Sequence, residues 1–247
     1  MTMMNRLGHS RTIVTKSYAL ISADSHVASA LPGWSNCRAI VQISATMGAH
    51  FSQILITLDA NGRGKGEGDT LAESWFFYVV SGSVTLNGEA LNDGGFGYVP
   101  PGQHYLIAGA ATLLVVRKQY EPLPGKSAAD APEFFTGQEQ DLPAEAFLGD
   151  RHARLKVLIP DMPEADMAMN IFTYDPGATL PFVESHVMEH GMLFLAGGGI
   201  YRLDNDWYPV TAGDGIWIAP YCPQWFIAAG PEPARYIYYK DVNRLPA

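Results

Sequence analysis

The sequence predicts an all-β protein made of two tandem β-barrels joined by a linker. The first observation is a series of short runs rich in β-branched and aromatic residues, such as residues 75–80, which end in turn residues such as Ser81-Gly82. The second is composition, because 25 Gly and 17 Pro with only 17% charged residues suit tight turns better than long surface helices. The third is an internal repeat, which divides the 247 residues into two units.

The repeat consists of four short matches that occur in the same order in both halves of the chain. Residues 55–59 resemble 171–175, 78–82 resemble 193–197, 104–108 resemble 224–228, and Lys118 with 123–124 resembles Lys240 with 245–246. The separation between matched residues stays nearly constant, which indicates a duplicated unit rather than unrelated similarities.

The elements follow from this repeat. Residues 1–16 are polar and lack an apolar run, so we assign them to an N-terminal arm. Residues 17–121 are predicted to form the first barrel and residues 153–247 the second. Between them, residues 122–152 are rich in Pro and acidic residues, which is typical of a linker, and one short helix is expected near residues 143–148.

The overall composition excludes several classes of function. A formal charge of −9 without a run of Lys or Arg argues against a nucleic-acid partner, because phosphate binding requires clustered cations. Apolar runs are only strand-length, so neither a signal peptide nor a membrane partner is expected. Two cysteines form no disulfide framework, which favours a reduced cytoplasmic setting. Aromatic strands near residues 75–78 and at the C-terminus favour a homo-oligomer.

The most informative motif is Glu184-Ser-His186-Val-Met-Glu-His190 in the second unit. Residues two apart on a strand project from the same face, so Glu184 and His186 point together, and His190 joins them if the strand continues or turns locally. A carboxylate and two imidazoles that converge in this way suit a divalent metal ion. The same groups also form ordinary surface hydrogen bonds, so spacing alone leaves a metal site and a structural role open.

A zinc-protease site, the helical alternative for this spacing, is excluded by the neighbouring residues. That motif needs a Glu directly after the first His, whereas Val187 follows His186. Pro181 upstream and Gly191 downstream also disfavour a long helix.

These features together resemble the cupin superfamily, and in particular its two-barrel members, the bicupins. The usual cupin motif has two His ahead of a Glu, whereas here Glu184 comes first, and Gln224 stands where a later His is usual. This exchanged order is similar to the manganese-dependent (S)-ureidoglycine aminohydrolase family, bicupins of the ureide (allantoin) branch of purine degradation. Further similar segments are residues 201–207, 209–210, 213–214, 236–241 and 243–244 in the second half and, more loosely, 81–82, 94–95 and 98–102 in the first.

The resemblance implies a role for seven side chains. It implies one Mn²⁺ per chain in the second barrel, held by Glu184, His186, His190 and Gln224. It also implies substrate binding by Tyr201, Tyr236, Lys240 and Glu184, of which Glu184 and Lys240 would be catalytic. Tyr238 shares the strand face of Tyr236 and Lys240. Met188 and Cys222 depart from the family pattern beside these ligands, and neither change removes a donor atom.

The activity that the resemblance implies is hydrolytic deamination of a small ureide, (S)-ureidoglycine, to (S)-ureidoglycolate and ammonia. Two alternatives stay open. One is a bicupin dioxygenase or isomerase, for which Glu184, His186 and His190 would supply two His and one carboxylate. The other is a non-catalytic cupin that binds a small molecule, because fold alone does not fix function. Gln224 and Lys240 favour the hydrolase over the oxygenase.

The first unit lacks the histidine pair of the second. At the matching positions it has residues 66–69 and Ser74-Trp75, and His104 alone stands at the position of Gln224. We therefore expect the first barrel to bind no metal and to serve packing, dimerisation or shielding of the pocket.

Overall fold

The computed structural model describes residues 10–67 and 72–244, which form an almost entirely β structure. The all-β prediction is therefore confirmed. The first nine residues of the predicted arm, Gly68-Asp69 of the segment opposite the metal motif, and the repeat residues 245–246 lie outside the described residues. No helix in the described part of the chain is long and apolar enough to cross a membrane.

The strands alternate with tight turns along the whole described chain. In chain order they are β1 (Ile13–Val14), β2 (Tyr18–Ile21), β3 (Trp34–Ile43), β4 (Phe51–Gly66), β5 (Glu73–Leu86), β6 (Glu89–Leu91), β7 (Gly95–Val99), β8 (Tyr105–Gln119), β9 (Phe135–Gln138), β10 (Glu145–Phe147), β11 (Asp150–Val157), β12 (Met167–Tyr174), β13 (His190–Ala196), β14 (Gly198–Leu203), β15 (Asp206–Thr211), β16 (Gly215–Ile218), β17 (Gln224–Ala228) and β18 (Ala234–Asp241). Four 3-10 helices cover Ala23–Ser25, Ala45–Met47, Ala128–Asp130 and Glu139–Asp141.

These strands form three sheets, each open at both ends in the described residues. The largest has the order β1-β2-β16-β13-β18-β12-β11-β10, and a three-stranded sheet has the order β15-β14-β17. A seven-stranded sheet has the order β3-β4-β8-β5-β7-β9, with β6 paired to β5. Strands matched by the sequence repeat have matching neighbours, because β4 and β5 both pair with β8, whereas β12 and β13 both pair with β18.

Two cores lie on opposite faces of the eight-stranded sheet. Ile237 and Tyr239 of β18 belong to a core shared with Phe51 and other residues of the first half. Tyr236 and Tyr238 of the same strand belong to a core shared with the three-stranded sheet. This alternation, which follows the two-residue period of a strand, places His190 and Lys240 on the second face. A third core is formed by buried residues of the seven-stranded sheet.

Two details of strand pairing were not predicted from the sequence. Pairs form between the predicted segments, because β2, from residues assigned to the first barrel, pairs with β16, and β9 of the linker pairs with β7. The short helix expected near residues 143–148 is wrong, because Glu145–Phe147 forms β10 against β11. Both differences arise from long-range pairing, which local composition does not encode.

A buried ion pair joins a residue of the first half to a residue of the second, and its contribution to the stability of the fold can be tested. The Lys118 ammonium lies 2.9 Å from a carboxylate oxygen of Asp166, and both side chains are almost fully buried. Lys118→Met leaves the Asp166 carboxylate buried without its partner, so we expect a loss of about 3–5 kcal/mol in the free energy of unfolding. Urea denaturation monitored by circular dichroism measures this loss.

The control for this test is Lys65→Met, which removes a lysine from an exposed pair with Glu67. We expect no measurable change in its unfolding midpoint, because exposed ion pairs contribute little. Equal midpoints for Lys118→Met and the wild type would show that the buried pair does not stabilise the fold.

Candidate active site

A cavity of about 140 Å³ lies between the eight-stranded sheet and the three-stranded sheet. All seven side chains singled out from the sequence line it. They are Glu184, His186, His190, Gln224, Tyr201, Tyr236 and Lys240. The fold thus brings together groups that are up to 56 residues apart in the sequence, by pairing β13 with β18 and β14 with β17.

Glu184 and His186 lie on an irregular segment and not on a continuous strand. The strand predicted from residue parity is therefore wrong here, and β13 begins only at His190. The segment is held by Gln224, since the backbones of Glu184 and Gln224 exchange two N–H···O bonds of 2.8 and 2.9 Å. Two residues after Glu184, the segment is held again, because the backbone N–H of Tyr221 donates to the His186 carbonyl at 2.7 Å. Because these bonds fix the backbone, the carboxylate and the imidazole project from defined positions.

The imidazoles of His186 and His190 face each other. Their Nε2 atoms lie 3.1 Å apart, and the rings meet edge to face with centroids 4.8 Å apart. Nδ1 of His190 lies 3.2 Å from the Tyr239 carbonyl, which fits an N–H donor there and leaves Nε2 with a free lone pair. Burial lowers the pKa of His190 to about 3 and also lowers the pKa of His186. Both rings are therefore neutral near pH 7, as metal ligation requires.

Gln224 and Tyr201 form a buried polar pair at the same wall. The Tyr201 hydroxyl donates to Oε1 of Gln224 at 2.7 Å, and Nε2 of Gln224 lies 3.4 Å from Nε2 of His186. Tyr201 is fully buried, and burial raises the pKa of its hydroxyl well above the usual value. The hydroxyl thus stays protonated and orients the amide, in addition to lining the cavity.

The charged groups of the cavity are Glu184 and Lys240. Burial raises the pKa of the half-buried Glu184 carboxyl, an effect that the positive charge of Lys240 opposes. Among the described residues, the Lys240 ammonium makes no hydrogen bond or ion pair. Since no carboxylate of the described residues lies within ion-pair distance of it, the ammonium is available to an anionic ligand.

Tyr236 and Tyr238 complete the face of β18 that carries Lys240, as strand parity predicted. The Tyr236 hydroxyl lies 3.3 Å from the Tyr174 hydroxyl in the buried core. Burial raises the pKa of both Tyr236 and Tyr238, so both hydroxyls remain neutral. The structure therefore gives Tyr236 a protein partner besides its place in the cavity wall.

The donor atoms fit a divalent ion through the imidazole pair. In the described residues no three His, Cys, Asp or Glu side chains are already gathered as a metal centre. Two ligands in adjacent positions at about 2.1 Å from one ion lie about 3 Å apart, which matches the observed Nε2–Nε2 distance. Glu184 supplies hard oxygen atoms at the same wall, whereas Gln224 turns its amide Nε2 toward His186 and would offer Oε1 to an ion only with its amide group rotated.

Residues next to His190 and Lys240 are held by hydrogen bonds, one of which comes from the first half of the chain. The buried Glu189 carboxylate accepts hydrogen bonds from the backbone N–H of His50 at 3.0 Å and from Nε1 of Trp217 at 3.1 Å. The backbone N–H of Glu189 donates to Asp241. These contacts hold the residues next to His190 and Lys240, and so fix the separation of the two strands.

Sequence reasoning missed most of the apolar wall. Phe147, Phe172, Leu180 and Met192 line the cavity. Phe147 comes from β10 in the predicted linker and packs edge to face on Phe172, with ring centroids 4.9 Å apart. Alternation along β12 could have placed Phe172, whereas nothing local indicates that the linker reaches the site.

The two departures from the family pattern occupy different places. Met188 lines the cavity, where its flexible side chain shapes the wall. Cys222 is buried in the core between the eight- and three-stranded sheets, and burial raises the pKa of its thiol. A buried thiol with a raised pKa is a poor nucleophile, so Cys222 serves packing.

Comparison with known proteins gives a consistent picture. Residues 170–239 match the family model described as a cupin domain. The (S)-ureidoglycine aminohydrolase of Arabidopsis thaliana is 35% identical over 97% of this chain and 80% of its own length. The crystal structure of protein Ylba from E. coli superposes with a TM-score of 0.84 at 32% identity, covering 97% of both chains. Oxalate decarboxylase of Bacillus subtilis, described with Mn(II) centres, shares the fold at a TM-score of 0.68 and 12% identity, covering 96% of this chain and 80% of its own.

Proposed function

Since the chain belongs to the (S)-ureidoglycine aminohydrolase family, we propose that it hydrolyses (S)-ureidoglycine to (S)-ureidoglycolate and ammonia. The observation that supports this best is the unpaired Lys240 ammonium, which lines the same cavity as the imidazole pair and Glu184. A small ureide has a carboxylate that can contact the Lys240 ammonium. It also has an aminal carbon that can lie near the imidazole pair and Glu184.

One Mn²⁺ per chain is proposed for the second half. His186 and His190 would hold it through Nε2, together with oxygen atoms of Glu184 and Gln224. Two nitrogen and two hard oxygen donors suit Mn²⁺ better than a thiolate-rich zinc site does. When bound, such an ion supplies an electrophile that polarises the substrate and lowers the pKa of water.

Lys240 binds and orients the substrate carboxylate. Its ammonium is half-buried and has no protein partner among the described residues, so a carboxylate that enters the cavity gains a charge-assisted contact. Tyr236 and Tyr238, on the same strand face, present neutral rings that exclude water around this contact. The carboxylate end of the ureide is thus fixed, and the aminal carbon lies toward Glu184 and the histidines.

Glu184 transfers the proton that the reaction requires. Water adds to the aminal carbon, the C–O bond forms, and the C–N bond to the amine breaks as the amine leaves as ammonia. The Glu184 carboxylate takes a proton from water and delivers it to the departing nitrogen. Its raised pKa suits this dual role, because a group with a pKa closer to neutrality both accepts and returns a proton readily.

The wider organisation is also part of the proposal. The two repeated units would correspond to the two tandem barrels of a bicupin, and matching strand pairings in both halves support this. The predicted domain boundaries, the cytoplasmic location and the homo-oligomer stay predictions of the sequence.

The experiment that tests the function uses freshly generated ureidoglycine. We expect the Mn²⁺-loaded protein to release ammonia faster than the spontaneous reaction and to form a single enantiomer of ureidoglycolate. Ammonia is measured by a coupled assay, and the product by chiral chromatography, before and after chelation. A rate equal to the spontaneous one would refute the proposal, and oxygen consumption with Fe²⁺ would support the dioxygenase instead.

A further inference from the structure

A second cavity lies in the first half of the chain, at the position that matches the active site in the repeat. In the second half, β13 pairs with β18 so that His190 stands opposite Lys240. In the first half, β5 pairs with β8 so that Trp75 stands opposite Arg117. The duplicated fold therefore sets an indole and a guanidinium where the second half has an imidazole and an ammonium.

This second cavity has a volume of about 300 Å³ and an aromatic wall. The rings of Trp75 and Tyr105 lie 5.0 Å apart, and those of Trp34 and Tyr105 lie 6.3 Å apart. The Arg117 guanidinium lies over the Trp75 ring, 5.4 Å from its centroid. We call these four residues the aromatic cage. Flat rings beside a planar cation form a surface that suits a flat ligand.

Two glycines of β4 lie directly against two rings of the aromatic cage. A Cβ atom at Gly66 would come within 2.1 Å of the Tyr105 ring, and one at Gly64 within 2.4 Å of the Trp34 ring. A residue with a side chain at either position would push the ring outward. The rings therefore rest directly on the strand backbone, and the space above them is open.

Four charged residues line this cavity, and two of them, Lys65 and Glu67, pair with each other at 2.7 Å, which leaves Arg117 and Glu73. The Arg117 guanidinium and the Glu73 carboxylate are 3.7 Å apart, which is too long for a hydrogen bond. Arginine presents a planar fork of donors that matches a carboxylate in bidentate geometry. An incoming carboxylate can therefore take these donors more closely than Glu73 does.

We propose that the aromatic cage binds a small carboxylate with a planar group, the chemical class of the ureide substrate and product. The choice of ligand class rests on the proposed function, whereas the site itself does not. The described residues that line the cavity include no histidine, so the cage binds its ligand without the donor set of the active site.

Calorimetric titration of the full-length protein with N-carbamoylglycine, a stable ureido acid, tests the proposal. We expect two binding events per chain in the wild type. Arg117→Met should weaken one event about 10–100-fold, the usual effect of losing a hydrogen bond to a charged group. Ureidoglycine turnover should stay unchanged. Equal binding by Arg117→Met and the wild type would overturn the proposal.

Two further variants separate the sites and control for misfolding. Lys240→Met should remove the other binding event and leave the cage event intact, so failure of the proposed function is distinguishable from failure of the cage. Glu73→Gln removes the competing carboxylate and should tighten the cage event, a gain that damage to the fold would not give. Weaker or unchanged binding by Glu73→Gln would also contradict the proposal.

Discussion

Replacing His190 with alanine is expected to abolish metal retention and to lower ammonia release from ureidoglycine by more than about 100-fold. Loss of a side chain that only hydrogen-bonds to a metal ligand already lowers metal affinity or activity by about 10–100-fold, and His190 is itself a proposed ligand. His190 is buried, only 4% exposed, and its Nδ1 contact with the Tyr239 carbonyl aims Nε2 at His186. Among the described residues that line the cavity, the other imidazole belongs to His186, which is itself a proposed ligand. Metal content is measured by elemental analysis after dialysis, and turnover by the ammonia assay.

The matched control for this variant is His152→Ala. His152 is an exposed histidine that contacts Asp175, and neither residue lines the cavity. It should keep the metal content and turnover of the wild type. Circular dichroism shows whether His190→Ala is folded, and a folded His190→Ala protein that retains one Mn²⁺ per chain and full activity would refute the proposed ligand set.

The sequence could predict which polar residues line the cavity because they lie on features with a short sequence signature. Glu184, His186 and His190 are close in the chain, and the two-residue period of β18 places Tyr236, Tyr238 and Lys240 on one face. The resemblance to a family then supplied Gln224, which spacing alone could not connect to the motif. In the structure Gln224 is joined to Glu184 by backbone hydrogen bonds across two separate segments.

The remaining features depend on contacts between distant parts of the chain. The pairing of β2 with β16 and the arrival of Phe147 at the cavity wall follow from packing, which composition does not encode. The bracing of Glu189 by His50 and Trp217 likewise joins residues that no local pattern connects. In the same way, the repeat alone aligned the two halves only approximately. Strand register was needed to match Arg117 with Lys240.

Lys240→Met is expected to raise the KM for ureidoglycine about 10–100-fold while kcat changes less. A hydrogen bond to a charged group contributes about 1.5–3 kcal/mol, and each 1.4 kcal/mol changes an equilibrium constant about tenfold. Methionine keeps most of the aliphatic stem and removes only the ammonium. Because the carboxylate keeps its charge throughout the reaction, its contact stabilises the ground state and the transition state alike, so the loss falls on KM. Initial rates over a range of ureidoglycine concentrations separate the two constants.

The appropriate control is Lys126→Met, which removes an exposed lysine paired with Asp130. It should leave both constants unchanged, which excludes a general effect of lowering the positive charge. A ureide that lacks the carboxylate should bind the wild type and Lys240→Met equally weakly, because the missing ammonium then has nothing to bind. If Lys240→Met instead shows the wild-type KM, the carboxylate does not meet this lysine. If kcat alone falls, Lys240 acts on the reacting atoms rather than on substrate binding.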